Sequence, residues 1–395
     1  MRLFTLLLLC LSLVGCAAWD TVGETFSGVS DYFTGGADNT DPPKPLSEYT
    51  QELKIQVLWK ESVGAGADEQ TLKLVPGIGS AQIIAADHKG RVQARDLLTG
   101  KEHWEAKTEL PFSAGPGIGH NTAILGTSDA EVLALNADTG TERWKAKVTS
   151  EVLAVPTIAH GIVIIHTTDG KVTAINEATG AKLWSYEVAV PALSIRGTAS
   201  PVVVEDKLIS GYDNGKLIAL ELKDGRYIWE SSIAVPKGRS EVDRLVDLDT
   251  DPLEAAGVVY IAGFHGGVSA VSAVDGDVIW RNEEVSSSTG LSNDWRYLYL
   301  SDNDSDVWQL DLRSGASLWR QKDLHQRRTS APASYGHYVV VGDFEGYVHW
   351  LSTADGHQMA RVQISNSPIE AKPVVVDNIV YVYAKDGTLA ALTVQ

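Results

Sequence analysis

The chain has 395 residues, of which 44% are hydrophobic and 21% charged, and 51 acidic against 33 basic residues give a formal net charge of −18. That charge argues against nucleic acid, whose phosphates need a basic footprint, and it opposes adsorption on an anionic lipid surface, so attachment to a membrane would have to be covalent or through a partner. The two cysteines are Cys10 and Cys16, so everything beyond residue 16 lacks both thiol and disulfide; such a chain has nothing to mispair in an oxidising compartment.

In chain order, Arg2 precedes an apolar run, 3–14, too short to span a bilayer comfortably. The run ends in Leu13-Val14-Gly15-Cys16, which resembles the bacterial lipobox. The resemblance implies that 1–15 is a lipoprotein signal peptide and that Cys16 becomes the lipidated first residue of the mature chain. A plain secretory signal cleaved beside Ala17 and Ala18 is the alternative. Ala17, rather than Asp, after the cysteine implies sorting to the outer membrane. Several acyl chains, at ~0.8 kcal/mol per buried CH₂, make a stable anchor. Residues 16–50, rich in Gly, Asp, Thr and Pro, read as the lipidated N-terminus and a flexible tether.

From residue 51 onward a repeat takes over. A glycine stands four residues before a tryptophan in the pairs Gly100/Trp104, Gly140/Trp144, Gly180/Trp184, Gly225/Trp229, Gly276/Trp280 and Gly315/Trp319, with steps of 40, 40, 45, 51 and 39 residues. A period of this length marks one supersecondary unit repeated. In the third copy, 162–165 is an apolar strand, Thr168-Asp169-Gly170 turns the chain, and 171–175 alternates polar and apolar as a half-buried strand does. A second polar turn, 176–180, then leads into the strand that carries Trp184. Antiparallel units of about four strands and this length predict an eight-bladed β-propeller of four-stranded antiparallel blades. The seventh unit keeps Gly356 but has Ala360 in place of tryptophan, and the eighth ends one strand short at Gln395. The missing strand is expected at 54–60, carrying Trp59, which would complete the last blade and close the ring, removing open edges. An open solenoid is the alternative architecture. Trp59, Trp104, Trp144, Trp184, Trp229, Trp280 and Trp319 are therefore predicted to pack blade on blade, each with an indole N–H able to reach a backbone carbonyl.

Searching for catalysis yields mostly turns. Asp302-Asn303-Asp304-Ser305-Asp306 spaces acidic residues like the start of a calcium loop, but Val307 and Arg313 occupy the sixth and twelfth places, and a solvated hairpin turn is the expected reading. His120, His160 and His337 fall in turns without metal-ligand spacing. No Gly-x-Ser-x-Gly motif and no phosphate-cradling glycine loop occurs. The stretches 129–144 and 169–184 resemble the repeat of the pyrroloquinoline-quinone (PQQ) dehydrogenases, eight-bladed propellers that hold a quinone and a calcium ion over the central channel. A PQQ-dependent periplasmic quinoprotein is thus the alternative function, and a glycan-binding propeller a third. Many of those enzymes have a disulfide of adjacent cysteines beside the quinone, which this chain lacks beyond residue 16. The expectation is no enzyme, no cofactor and no metal.

Function should lie where the repeats deviate. Aligned on the prolines that open blades (Pro116, Pro156, Pro201, Pro252, Pro332, Pro373), two successive inter-blade connections stand out. One carries Leu193, Ile195 and Arg196; the next carries Arg244, Asp247, Asp249 and Asp251. Arg196 and Asp247 each lie five residues before their proline, so they should be neighbours. The patch suits a protein interface, and an internal Arg–Asp bridge tying the blades together suits it as well. Arg327 and Arg328 form a basic counterpart before Pro332. With the lipobox, the tether and the cysteine-free propeller, the segments at 193–196 and 244–249 make the whole chain resemble the BamB family, the lipoprotein B subunits of the β-barrel assembly machinery. The resemblance implies a non-enzymatic scaffold, anchored by lipid in the outer membrane and facing the periplasm. It further implies that Leu193, Ile195, Arg196, Asp247 and Asp249 bind the periplasmic POTRA domains of the core subunit, BamA. Through BamA the scaffold would join the rest of the complex and assist folding and insertion of outer-membrane proteins, with unfolded precursors as possible further partners.

Overall fold

A computed structural model describes residues 41–191, 193–194, 196–235 and 245–395. The chain divides into two units, Met1–Pro42 and Pro43–Gln395, and the blades belong to the second. The described residues form 33 strands and no helix. These strands make eight sheets, at 77–107, 112–147, 157–187, 202–232, 253–282, 291–321, 333–363 and 374–394, the last completed by Ile55–Ser62. Each successive blade packs on the next, giving the expected eight-bladed propeller. Ile55–Ser62 pairs antiparallel with Thr388–Val394, from Ile55 opposite Val394 to Ser62 opposite Thr388. The ring is thus closed by the strand that carries Trp59.

Within a blade the burial differs from a simple alternation. The strand expected to be half-buried at 171–175 runs over Lys171–Asn176, and Val172, Thr173, Ala174 and Ile175 are all buried. The middle strands are covered on both faces by the neighbouring blades, so both sides of the pleat face protein. Only the outer strand, such as Lys182–Glu187, alternates toward solvent. One sheet also departs from four antiparallel strands. Lys73–Leu74 adds a fifth strand to the second blade, parallel to Phe112–Gly119.

The tryptophans lock every blade but the seventh to the following one. Trp104 Nε1 donates to Ala137 O at 2.8 Å, Trp144 to Glu177 O at 2.7 Å and Trp184 to Leu222 O at 3.0 Å; Trp59, Trp229, Trp280 and Trp319 do the same to Leu97, Ala273, Leu312 and Thr353. Each acceptor sits in the outer turn of the next blade. A bulge precedes each of these tryptophans, as between Glu142 and Trp144, and it re-aims the ring onto that turn. The glycine of the pair therefore has two duties. Gly140 adopts φ +71°, which a turn needs, and a Cβ there would lie within 3 Å of the Trp104 ring of the preceding blade.

The acidic turn near Asp302 is a turn, but it is solvated only at its tip, where Asn303 and Asp304 are exposed. Asp306 is fully buried and Asp302 nearly so. Arg320 reaches Asp306 at 2.6 Å and Asp302 at 3.3 Å, His325 Nδ1 lies 2.9 Å from Asp306, and Trp308 Nε1 donates to Asp302 at 2.7 Å. Asp302 and Asp306 turn inward because an arginine and an indole from the same blade are there to receive them.

Candidate functional site

The connections that enter the third to eighth blades converge on one end of the ring axis. They line a cavity of about 440 Å³ that includes Leu153, Arg196, Asp249, Arg328 and Glu370, together with Lys73 from the segment leading into the first blade. A second cavity of about 420 Å³ is lined by the innermost strands, with Leu72, Leu74, Pro116, Leu253 and Leu291 giving apolar walls and Lys73, Asp251, Glu370 and Lys372 the charges. Lys372 Nζ donates to Leu291 O at 2.7 Å, and burial pulls its ammonium below the usual lysine range, against the nearby Asp251.

Of the residues singled out by sequence, Leu193 is 45% exposed and Arg196 is exposed as well. Arg196 Nη2 reaches Glu151 Oε1 at 2.6 Å. Glu151 stands five residues before Pro156, as Arg196 stands five before Pro201. The expected neighbour was Asp247, but the arginine turns instead to the equivalent position before the preceding blade. Applying the same register to Pro156 would have found Glu151.

Asp247 is buried. Its backbone bridges Phe264 in the fifth blade, with Phe264 N–H donating to Asp247 O at 2.9 Å, and its neighbours Val246 and Leu248 sit in the core shared by the fourth and fifth blades. Asp249 lies against the other connection: a Cβ on Gly197 would fall within 3 Å of its carboxylate. Its Oδ1 is buried and accepts no hydrogen bond among the described residues. Burial, with Asp213 and Asp251 nearby, pushes its pKa up to about 7, against the opposing pull of Lys73. Burial also raises Asp213, whose carboxylate accepts a hydrogen bond from the Ser194 side chain. The acidic connection thus supports the 193–197 segment from beneath, and the surface itself is made by Leu193 and Arg196. Ile195, Arg244 and Cys16 lie outside the described residues.

The remaining candidates separate. Arg327 is buried, 2.7 Å from Asp343 and in contact with Glu345, and Asp343 also meets the buried His349 at 3.0 Å. That arginine serves its own blade, and only the exposed Arg328 reaches the cavity. Among the described residues no group of three or more His, Cys, Asp or Glu is arranged to hold a metal ion. Lys73 was missed because it lies outside the repeat. Its Nζ donates to Thr198 O at 3.2 Å and to Asp251 Oδ1 at 2.5 Å.

The family profile described as outer membrane protein assembly factor BamB matches residues 88–321 and 313–395. The chain is 50% identical over 347 residues to the outer membrane protein assembly factor BamB of Alkalilimnicola ehrlichii, covering 88% of this chain and 90% of that one. It is 40% identical over 391 residues to the BamB of Kangiella koreensis, covering 99% and 96%. The crystal structure of BamB from Moraxella catarrhalis superposes with a TM-score of 0.78 at 26% identity, over 86% of this chain and all of that one. A europium-containing methanol dehydrogenase superposes with a TM-score of 0.71 over 86% of this chain and 93% of that one, but at 12% identity it shares the fold alone. The chain belongs to the BamB family of outer membrane protein assembly factors.

Proposed function

We propose that the protein is a non-enzymatic scaffold lipoprotein of the outer-membrane β-barrel assembly complex, docking through Leu193, Ile195 and Arg196 on the periplasmic POTRA domains of BamA. Asp247 and Asp249 hold that surface in shape. The carrying observation is the exposure of Leu193 and Arg196 on a connection supported from two sides, by Glu151 and by the acidic connection. Blade packing asks nothing of these two side chains. An aliphatic anchor beside an orientable guanidinium is the chemistry of a protein contact. Lipid on Cys16, followed by a tether that ends where Lys44 and Ser47 bond to the propeller, holds the propeller at the periplasmic side of the outer membrane, where the docked disc supports BamA while outer-membrane proteins fold and insert.

The test is co-purification of BamA with the native lipoprotein and with Arg196→Glu. The wild type is expected to recover BamA and the variant to lose most of it, because a like-charge contact replaces the guanidinium. Equal recovery by the two removes the site, and no recovery by the wild type removes the function. Stoichiometric quinone absorbance in the purified protein would restore the quinoprotein alternative.

A further inference from the structure

We propose that Lys73 is a positioning residue of the docking site, whose ammonium joins the two connections of the patch into one unit from inside the channel. The inference rests on the docking role proposed above for those connections. Lys73 belongs to the stretch between the closing strand Ile55–Ser62 and the first blade, which has no counterpart in any other repeat. Two features fix its backbone. Lys73 and Leu74 pair in parallel with Ala114 and Gly115 on the innermost strand of the second blade, and Leu74 is buried in a core cluster. Successive side chains of an extended segment point opposite ways, so burying Leu74 sends Lys73 across the channel.

What it meets there is specific. Thr198, whose carbonyl accepts at 3.2 Å, lies two residues after Arg196 on the first connection. Asp251, whose Oδ1 accepts at 2.5 Å, lies two residues after Asp249 on the second. The same Oδ1 accepts the Ser200 N–H at 2.6 Å. Three separate stretches of chain therefore meet around one carboxylate oxygen. Asp213 and Asp251 face Asp249 with like charge, and Lys73 is the cation that opposes them. Removing the ammonium takes a donor from Thr198, halves the hold on Asp251 and leaves the carboxylates facing one another. Lys73 keeps 26% and Asp251 46% of side-chain exposure. The loss should accordingly loosen the connections without opening a ring held by its tryptophans.

The test compares the full-length protein with Lys73→Met and Lys73→Arg. Hydrogen exchange is followed in peptides spanning 193–200 and 245–252, the Asp249 carboxyl is titrated by NMR, and BamA recovery is measured in parallel. The expected result for Lys73→Met is exchange roughly tenfold faster in both segments together, as loss of one charge-assisted hydrogen bond implies, with a raised Asp249 midpoint and reduced BamA recovery. Lys73→Arg should return all three toward the wild type. Unchanged exchange in either segment, an arginine variant no better than methionine, or full BamA recovery despite loosened connections would overturn the proposal. If Lys73→Met does not fold, Asp251→Asn removes the charge yet still accepts from Ser200, and it must show the same paired loosening. Should the wild type itself recover no BamA, the docking role fails, while the exchange and titration arms still decide whether Lys73 clamps the two connections.

Discussion

The indole of Trp104 and the missing side chain of Gly140 are one device divided between two blades, and only half of it can be read from the sequence. The spacing showed a turn and a large ring in each unit. It could not show that the glycine receives the ring of the preceding unit, because that contact joins residues about 36 positions apart through the radial arrangement of blades. The site has the same limit at residue scale. Position relative to the blade-opening proline pointed Arg196 to Asp247 on the next connection, whereas the exposed guanidinium meets Glu151, the equivalent position on the preceding one. Asp247 itself is buried where its backbone pairs with Phe264. Asp249 carries a prediction of its own. Its folded pKa, about 7, lies above the ordinary aspartate value of about 3.9. Between those values the folded chain holds the proton more tightly than the unfolded chain. The group therefore costs nothing below about pH 4, and its cost grows as pH rises, levelling off above about pH 7. Asp249→Asn, which mimics the neutral form, should match the wild type in urea midpoint at pH 4 and exceed it increasingly up to pH 8. A difference that stays flat across that range would contradict the buried, proton-holding carboxyl.

At the scale of elements, the closing strand explains the one tryptophan that the repeat omits. In the eighth blade Thr388–Val394 and Ile55–Ser62 are paired without a turn between them; the Gln395 N–H donates to Lys54 O at 2.9 Å where other blades place their glycine turn. There is no glycine for the seventh blade to lock onto, and position 360 is an alanine. Leu53 and Ile55 fill the space instead, packing in the core cluster that contains Ala360 and Trp350. The segment before them is strapped to the outer strand of the seventh blade: Glu52 N–H donates to Met359 O at 2.9 Å, Arg361 Nη1 donates to Ser47 O at 2.9 Å, and the Arg361 guanidinium lies over the Tyr49 ring. The absence of tryptophan at 360 was visible in the sequence, whereas its replacement by a strap was not, since 43–53 has neither period nor strand pattern. Restoring the consensus should therefore do harm. Ala360→Trp forces an indole into a filled core and is expected to destabilise by ~1–3 kcal/mol, seen as a lower urea midpoint with an unchanged slope. A gain in stability would mean that the seam has room for a lock and that the strap does not take its place.

For the molecule as a whole, eight near-equivalent blades supply rigidity, and the singular residues collect where the connections converge on the axis. Leu193, Arg196, Glu151, Asp249 and Lys73 come from four different stretches of chain, which is why no local motif announces them; what the sequence does show is departure from the repeat at 193–196 and 244–251. The stability of the ring and the competence of this face should consequently be separable. Glu151 and Arg196 form a pair with 22% and 53% side-chain exposure, and a pair this open to water contributes only about 0–1 kcal/mol to folding. What Glu151 does supply is direction, restricting a long guanidinium that would otherwise sample many rotamers before meeting a partner. Glu151→Gln keeps the size and hydrogen-bonding capacity of the side chain and removes the charge. Its thermal midpoint should stay close to that of the wild type, while BamA binding weakens by several-fold, mainly through faster dissociation as the arginine loses its preset orientation. Measured together, unfolding and binding divide the possibilities cleanly. A fall in both would make the pair a structural bridge between the third and fourth blades, and a fall in neither would leave Arg196 independent of Glu151. Only a loss confined to binding fits a face whose side chains are set in place by the scaffold and used by a partner.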